Sequence, residues 1–385
     1  MAFIIKPGIL VRHKIRKMLE MNQKISGLYK EIPSNTAGKE AKRTEITLRV
    51  DVDGERPLNV ISGDIYSNSG DTRNYLCSFI FQHVQKIETP AKGIQLTAEK
   101  GDFSQNPELL ADIQVEIPYK AHSLTAFFQF RNNQGYQSKH LCRYESKYFR
   151  TIRLEHDYEV GVKPLEPYEA KDLSSTSPHR IRTISMVDAF ADAGIEIQVV
   201  KEKKNSVLPP ERIRGSESVW TNDKLQKTMR EHFKLFSEKP DWSVWLFSGN
   251  EYVMSNFNGI TISCKKNKRR GCAVFQTTTG WRSTEEKRLR LFIYVHELGH
   301  CFNLHHPWNR APTNGVEGGG YATLSWMNLP WRYYLSPESY GEEAFWKAFN
   351  FKFSDSELVH LRHGFRNDVI FGGNALGTKR SKSQN

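Results

Sequence analysis

The sequence predicts an α+β protein with a β-rich, sandwich-like N-terminal half and a mixed α/β C-terminal half. Two observations predict it. From Thr44 to Leu154 apolar residues recur with period two in short runs separated by Gly, Pro, Asn and Ser, the pattern of half-buried strands. After Pro178, helical spacing alternates with strand-like runs and leads into Val295–His306, V-H-E-L-G-H-C-F-N-L-H-H.

In chain order, residues 1–30 read as a basic helical segment. Lys6, Pro7, Arg12 and Lys14 interrupt its apolar residues, so it lacks a secretory core. Residues 31–163 form the β-domain. Ile46, Leu48, Val50 and Val52 alternate with polar neighbours, and Asp53-Gly54 supplies a turn. Further strands are expected at Leu76–Phe81, Ile94–Ala98, Ile113–Ile117, Leu124–Phe130 and Tyr148–Leu154. His122, His140 and His156 are scattered through this half and form no catalytic constellation, so recognition, scaffolding or regulation is its expected role.

The Pro, Ser, Glu and Lys of Pro164–Pro178 mark a linker, 164–183. The second domain, 184–373, opens with Ser185 and Asp188, a capping pair for a helix through Ala193 that Gly194 ends. A strand follows at Ile195–Val200. Leu225, Met229, Phe233 and Phe236 place a helix between Asn222 and Ser237. Strands are expected at Ser243–Phe247, Gly259–Cys264 and Cys272–Gln276, and Ser283 with Glu286 caps the next helix. Ser354 and Glu357 start a last helix that buries Leu358, Leu361 and Phe365, with His360 and His363 as packing or capping residues. Residues 374–385 read as a disordered tail.

The chemistry sits on the helix opened by Ser283. His296 and His300 are four residues apart and share a helix face, so both can grip one ion. Glu297 is turned about 100° away, beside that ion and free to act as a base. His306 reaches the same ion only if the helix ends first. Asn303, a residue that tolerates the left-handed conformation, stands where that break is needed. Cys301 projects off the ligand face and is expected to pack.

Written out, H-E-x-x-H-x-x-N-x-x-H resembles the metzincin zinc-peptidase signature, with Asn303 in place of the usual Gly. Downstream of Gly318–Gly320, the segment S-W-M-N-L-P (Ser325–Pro330) is similar to that family's Met-turn, which would set Met327 beneath the histidines. Leu329 occupies the place where many members carry Tyr; Tyr333 and Tyr334 do not fit that spacing and receive no catalytic role. The resemblance covers roughly residues 184–372. It implies a Zn²⁺ ion on His296, His300 and His306, and Glu297 as the base that activates a zinc-bound water against a peptide carbonyl. It also implies a substrate strand added to an edge strand just before the helix. Arg270–Gln276 holds that place, making Gly271, Cys272, Ala273, Val274 and Phe275 candidate substrate contacts.

Net charge is +12, partly concentrated in Lys265–Arg270 and Lys379–Lys382, which read as a solvated loop and tail. Five cysteines without paired spacing favour reduced thiols and a cytoplasmic location, a departure from secreted metzincins. No run approaches the roughly 20 apolar residues of a membrane span. No P-R-C-G-type segment offers a latency cysteine, and neither Cys77 nor Cys142 lies in suitable surroundings. Two alternatives accompany the endopeptidase reading. One is a DNA-associated intracellular protease, which the positive charge would suit. The other is a catalytically idle zinc-containing binding module whose fourth position Cys301 or His305 would close.

Overall fold

A computed structural model describes residues 24–32, 43–69, 72–89, 92–105, 111–118, 124–132, 135, 137–171, 181–200, 207–208, 219–253, 259–265, 268–275, 283–309 and 320–375. The basic segment 1–23, most of the glycine-rich loop (311–319) and the tail from 376 lie outside the described residues. The fold is α+β and strand-rich, as expected, and the chain divides into two compact units, Met1–Phe149 and Arg150–Asn385.

The first unit is one antiparallel sheet of ten strands: β1 (Gly27–Glu31), β2 (Arg43–Asp51), β3 (Val60–Ser69), β4 (Thr72–Phe81), β5 (Gln85–Thr89), β6 (Gly93–Ala98), β7 (Asp102–Phe103), β8 (Ala111–Ile117), β9 (Thr125–Asn132) and β10 (Gln137–Ser146). Their order is β5-β6-β8-β9-β10-β1-β2-β3-β4-β7. The alternation at Ile46, Leu48 and Val50 points all three inward. Phe79 of β4 stacks on Phe128 of β9 at 5.6 Å, and Phe103 of β7 meets Phe130 of β9 edge-on at 5.6 Å. Four strands separate β4 from β9 in the sheet, so these contacts form because the sheet curls over its own core. This corrects the sandwich: one continuous hydrogen-bonded sheet replaces two. The helical expectation for 1–30 is also corrected at its end, because Gly27–Glu31 is a strand paired with both β2 and β10.

The second unit holds a mixed sheet: β11 (Arg150–Glu159), β14 (Ile195–Val199), β15 (Val207–Leu208), β16 (Ser243–Gly249), β17 (Gly259–Lys265) and β18 (Lys268–Phe275), with a side ribbon of β12 (Tyr168–Lys171) and β13 (Ile181–Ile184). The order is β14-β11-β16-β18-β17, with β15 also on β11; all pairings are parallel except β17 with β18. Helix α1 (Met186–Asp192) starts at the expected Ser185–Asp188 capping box, and α2 (Asn222–His232) ends earlier than its apolar spacing predicted. Leu225, Met229 and Phe233 of α2's side cluster with Trp220, Trp245 and Phe247. Helix α3 (Thr284–Cys301) packs on β17 and β18. A hairpin of β19 (Tyr334–Ser336) and β20 (Ser339–Tyr340) leads into α4 (Gly341–Ala348), α5 (Asp355–Leu358) with a π-helical turn over Val359–His363, and α6 (Arg366–Val369).

Three expectations change here. The unit boundary falls after Phe149, not near 163, because β11 pairs with β14 and β16. Within β11, Glu155, Asp157 and Glu159 are buried. Glu155 accepts from the backbone N–H of Lys234, Asp157 from Trp245 Nε1 at 2.7 Å, and Glu159 from Trp220 Nε1 at 2.9 Å. The linker contains β12, paired to β13. The basic run Lys265–Arg270 is no solvated loop at its end: Arg270 is fully buried and donates to Phe371 O. Among the described residues no helix is long and apolar enough to cross a membrane.

On the opposite face of β11, Tyr158 OH lies 2.8 Å from His156 Nδ1, His156 Nε2 2.8 Å from Ser248 Oγ, and Ser248 Oγ 2.5 Å from Tyr294 OH of α3. Burial, then the Arg290 charge, lowers the His156 pKa from 6.5 to about 3. Between those values the unfolded chain binds the extra proton, so stability falls as pH drops below 6.5 and is unaffected by this group above it. His156→Gln should flatten the acid limb by about 1.4 kcal/mol per pH unit. Urea unfolding across pH 4–7 checks this, and parallel acid limbs for the two proteins would contradict it.

Candidate metal centre

Helix α3 begins at a capping box. The Ser283 hydroxyl accepts from Glu286 N, and the Glu286 carboxylate accepts from Ser283 N. It ends where the third histidine needs it to end. Asn303 has φ 61°, and Leu304 N bonds back to Gly299 O at 3.1 Å. Asn303 also donates through Nδ2 to Asp368 O and Asn374 O, both at 3.0 Å, fixing the turn to the C-terminal segment. Asn303→Gly keeps the conformation and loses two hydrogen bonds, an expected cost of about 1–2 kcal/mol. Asn303→Val loses the same bonds and adds left-handed strain of about 1–2 kcal/mol. Denaturant unfolding should therefore rank Val below Gly; equal losses would show that the backbone conformation is not what Asn303 supplies.

The turn brings three imidazoles together. His306 Nε2 lies 3.2 Å from both His296 Nε2 and His300 Nε2. The other nitrogens of the helical pair face carbonyls, His296 Nδ1 donating to Trp326 O at 2.8 Å and His300 Nδ1 to Leu304 O at 2.7 Å. These bonds place the ring protons on Nδ1, so the Nε2 lone pairs point into the shared space. Such a cup calls for a cation. Imidazoles bound at about 2.0–2.1 Å at tetrahedral angles put their nitrogens about 3.3 Å apart, so the spacing fits a metal ion. His296, His300 and His306 are the group of described residues able to hold one. Burial lowers His296 to about 3 and His306 to about 4, and pushes His300 well down, so all three are neutral at pH 7, the form able to ligate a metal.

The floor of the site is the S-W-M-N turn. Met327 is fully buried, and its sulfur lies so near Gly299 that a Cβ there would be 2.4 Å from it; only glycine permits this contact. The buried Glu357 accepts from Ser325 Oγ at 2.5 Å, and Ser325 Oγ accepts from Met327 N at 2.9 Å. The turn's Trp326 carbonyl is the acceptor that orients His296. His360 packs as expected, its Nε2 bonded to Phe302 O at 2.8 Å.

Glu297 lies beside the cup, against the edge of the sheet. A Cβ on Gly259 of β17 would sit 2.6 Å from Glu297 Cγ. Burial pushes the Glu297 carboxyl up to about 8, with the Arg269 charge opposing. Arg269 Nη1 also donates to His300 O at 2.7 Å, tying β18 to the last turn of α3. On the other side, Trp308 stacks on His306 at 4.8 Å and 11°, and Tyr321 on Trp308 at 5.1 Å and 14°.

His296, His300 and His306 thus meet in one place, with Met327 packed against Gly299 and Glu297 next to His296 on α3. Gly271, Cys272, Ala273, Val274 and Phe275 do not form an edge: β18 is paired to β16 on one side and β17 on the other, leaving no free backbone for an added strand. The edge is β17, because the hairpin after Lys265 folds the later strand inward. Cys301 is buried, its thiol against that of Cys272. The sequence reading missed Arg269, hidden in a run that looked solvated, and Gly259 and Trp308, whose roles depend on contacts distant along the chain. Comparison of the chain with family models, curated proteins and solved structures returned no match.

Proposed function

We propose that this protein is a zinc-dependent endopeptidase of metzincin type. The observation that carries the reading is the convergence of three neutral imidazole Nε2 atoms on a helix that also carries Glu297, the residue after His296. A zinc ion on three imidazoles supplies Lewis-acid polarisation of an acyl carbonyl and brings the pKa of water toward neutrality. Glu297 takes a proton from the attacking water and returns it to the leaving amine. Its raised proton affinity suits the second transfer, and a neighbouring cation would favour the ionised form required for the first. His296 and His300 are held in the ligating tautomer by Trp326 O and Leu304 O. Among the described residues β17 is the edge strand and begins at Gly259 against Glu297, so a peptide added there as a further strand would run past the base.

The rival readings gain less support. Among the described residues no fourth His, Cys, Asp or Glu joins the triad, which leaves the open position that catalytic sites keep and structural sites close. For a DNA-associated protease, Arg269 and Arg270 of the basic run are committed to His300 O and Phe371 O, removing them from any nucleic-acid face. The first unit's curled sheet is assigned recognition or regulation, and the odd cysteine count suits a reducing compartment. Metal analysis combined with cleavage mapping on a proteome-derived peptide library tests the reading. It predicts one zinc per chain and cleavage that chelation removes; stoichiometric zinc with no cleavage would favour the idle module.

A further inference from the structure

The His306 side of the centre carries a cation without an anion. Pro330–Arg332 forms a short 3₁₀ turn directly after the S-W-M-N segment, closed by Arg332 N to Leu329 O at 2.8 Å. The Arg332 side chain is exposed, and its guanidinium carbon sits 5.4 Å from the centroid of Trp308, the ring that stacks on His306. It makes no ion pair with a described carboxylate. A guanidinium held over an indole by cation–π attraction keeps its N–H donors available, and a guanidinium can grip a carboxylate with two parallel bonds. His306 is the most exposed of the three histidines, so this rim borders the open side of the cup. The two ring contacts of 4.8 Å and 5.4 Å put the guanidinium within about three residues of an extended chain lying across the metal.

We infer that Arg332 is a specificity-determining residue that receives a substrate carboxylate within about three residues of the scissile bond; this rests on the peptidase reading. The carboxylate can belong to an Asp or Glu side chain or to the end of a peptide, and the experiment separates them. The zinc-loaded full chain and its Arg332→Gln variant are each given a proteome-derived peptide library. A cleaved acidic peptide is then compared with its Glu→Gln counterpart and its C-terminal amide. The wild type should favour the carboxylate by about tenfold or more in kcat/KM. Loss of that preference on Glu→Gln identifies a side chain, and loss on amidation identifies a terminus. Arg332→Gln should abolish the preference while keeping zinc content and cleavage of the neutral peptide; Arg332→Glu should turn it toward Lys and Arg. Cleavage without an acidic preference, a preference that survives Arg332→Gln, or an equal loss on all peptides overturns the assignment and leaves the peptidase reading standing. Zinc-loaded protein that cleaves nothing overturns both.

Discussion

Glu297→Gln should keep one zinc per chain and lose hydrolysis by about 10²–10⁴-fold or more. The amide matches the carboxylate in size, so the contact with Gly259 and the packing of α3 survive. The three histidines are untouched, because Glu297 is not one of the residues that could hold the ion. What disappears is a group able to accept a proton from water and return it. Replacing the acid also removes the group whose pKa burial raises to about 8, so thermal stability at neutral pH should hold or rise slightly. Metal analysis beside a cleavage assay reads both halves of the expectation. Full activity in the variant removes Glu297 from the mechanism; loss of zinc with activity makes it a structural support.

His306→Ala should weaken zinc binding on the order of 100-fold or more, since apparent zinc binding energies of about 10–16 kcal/mol are shared among three or four ligands. His306 is the candidate ligand to remove because it lies beyond the helix that carries the other two. His296 and His300 remain paired on one helical face, whereas His306 arrives through the Asn303 turn and the stack on Trp308. Zinc stabilises the folded wild type in proportion to the logarithm of its concentration over Kd, so the rise in Tm on adding zinc should largely vanish in the variant. Titration calorimetry and a thermal melt with and without zinc measure the two effects. Unchanged stoichiometry together with an unchanged rise would exclude His306 from the ligand set.

Much of the centre was legible in the chain because its signals are local. Ser283 and Glu286 cap α3 within four residues, the ligand and base spacings follow from 100° per residue, and Asn303 carries the left-handed turn in its own side-chain chemistry. The strand runs of the first unit were legible for the same reason, since alternation is a property of neighbours. Where the reading failed, the deciding contact was distant. Arg269, in a run that reads as a solvated loop, meets His300 O, 31 residues further along the chain.

The sequence by itself determined the α+β composition, the candidate ligands, the candidate base and the point where their helix must stop, all encoded within a few residues. Only the tertiary structure decided that the ten N-terminal strands make a single curled sheet and that β11 belongs to the second unit. It also decided that β17, not β18, is the edge strand beside Glu297 among the described residues. Strand order is set by which backbones find partners across long loops and by which polar groups are satisfied when buried. Periodicity fixes a strand's faces and says nothing about its neighbours.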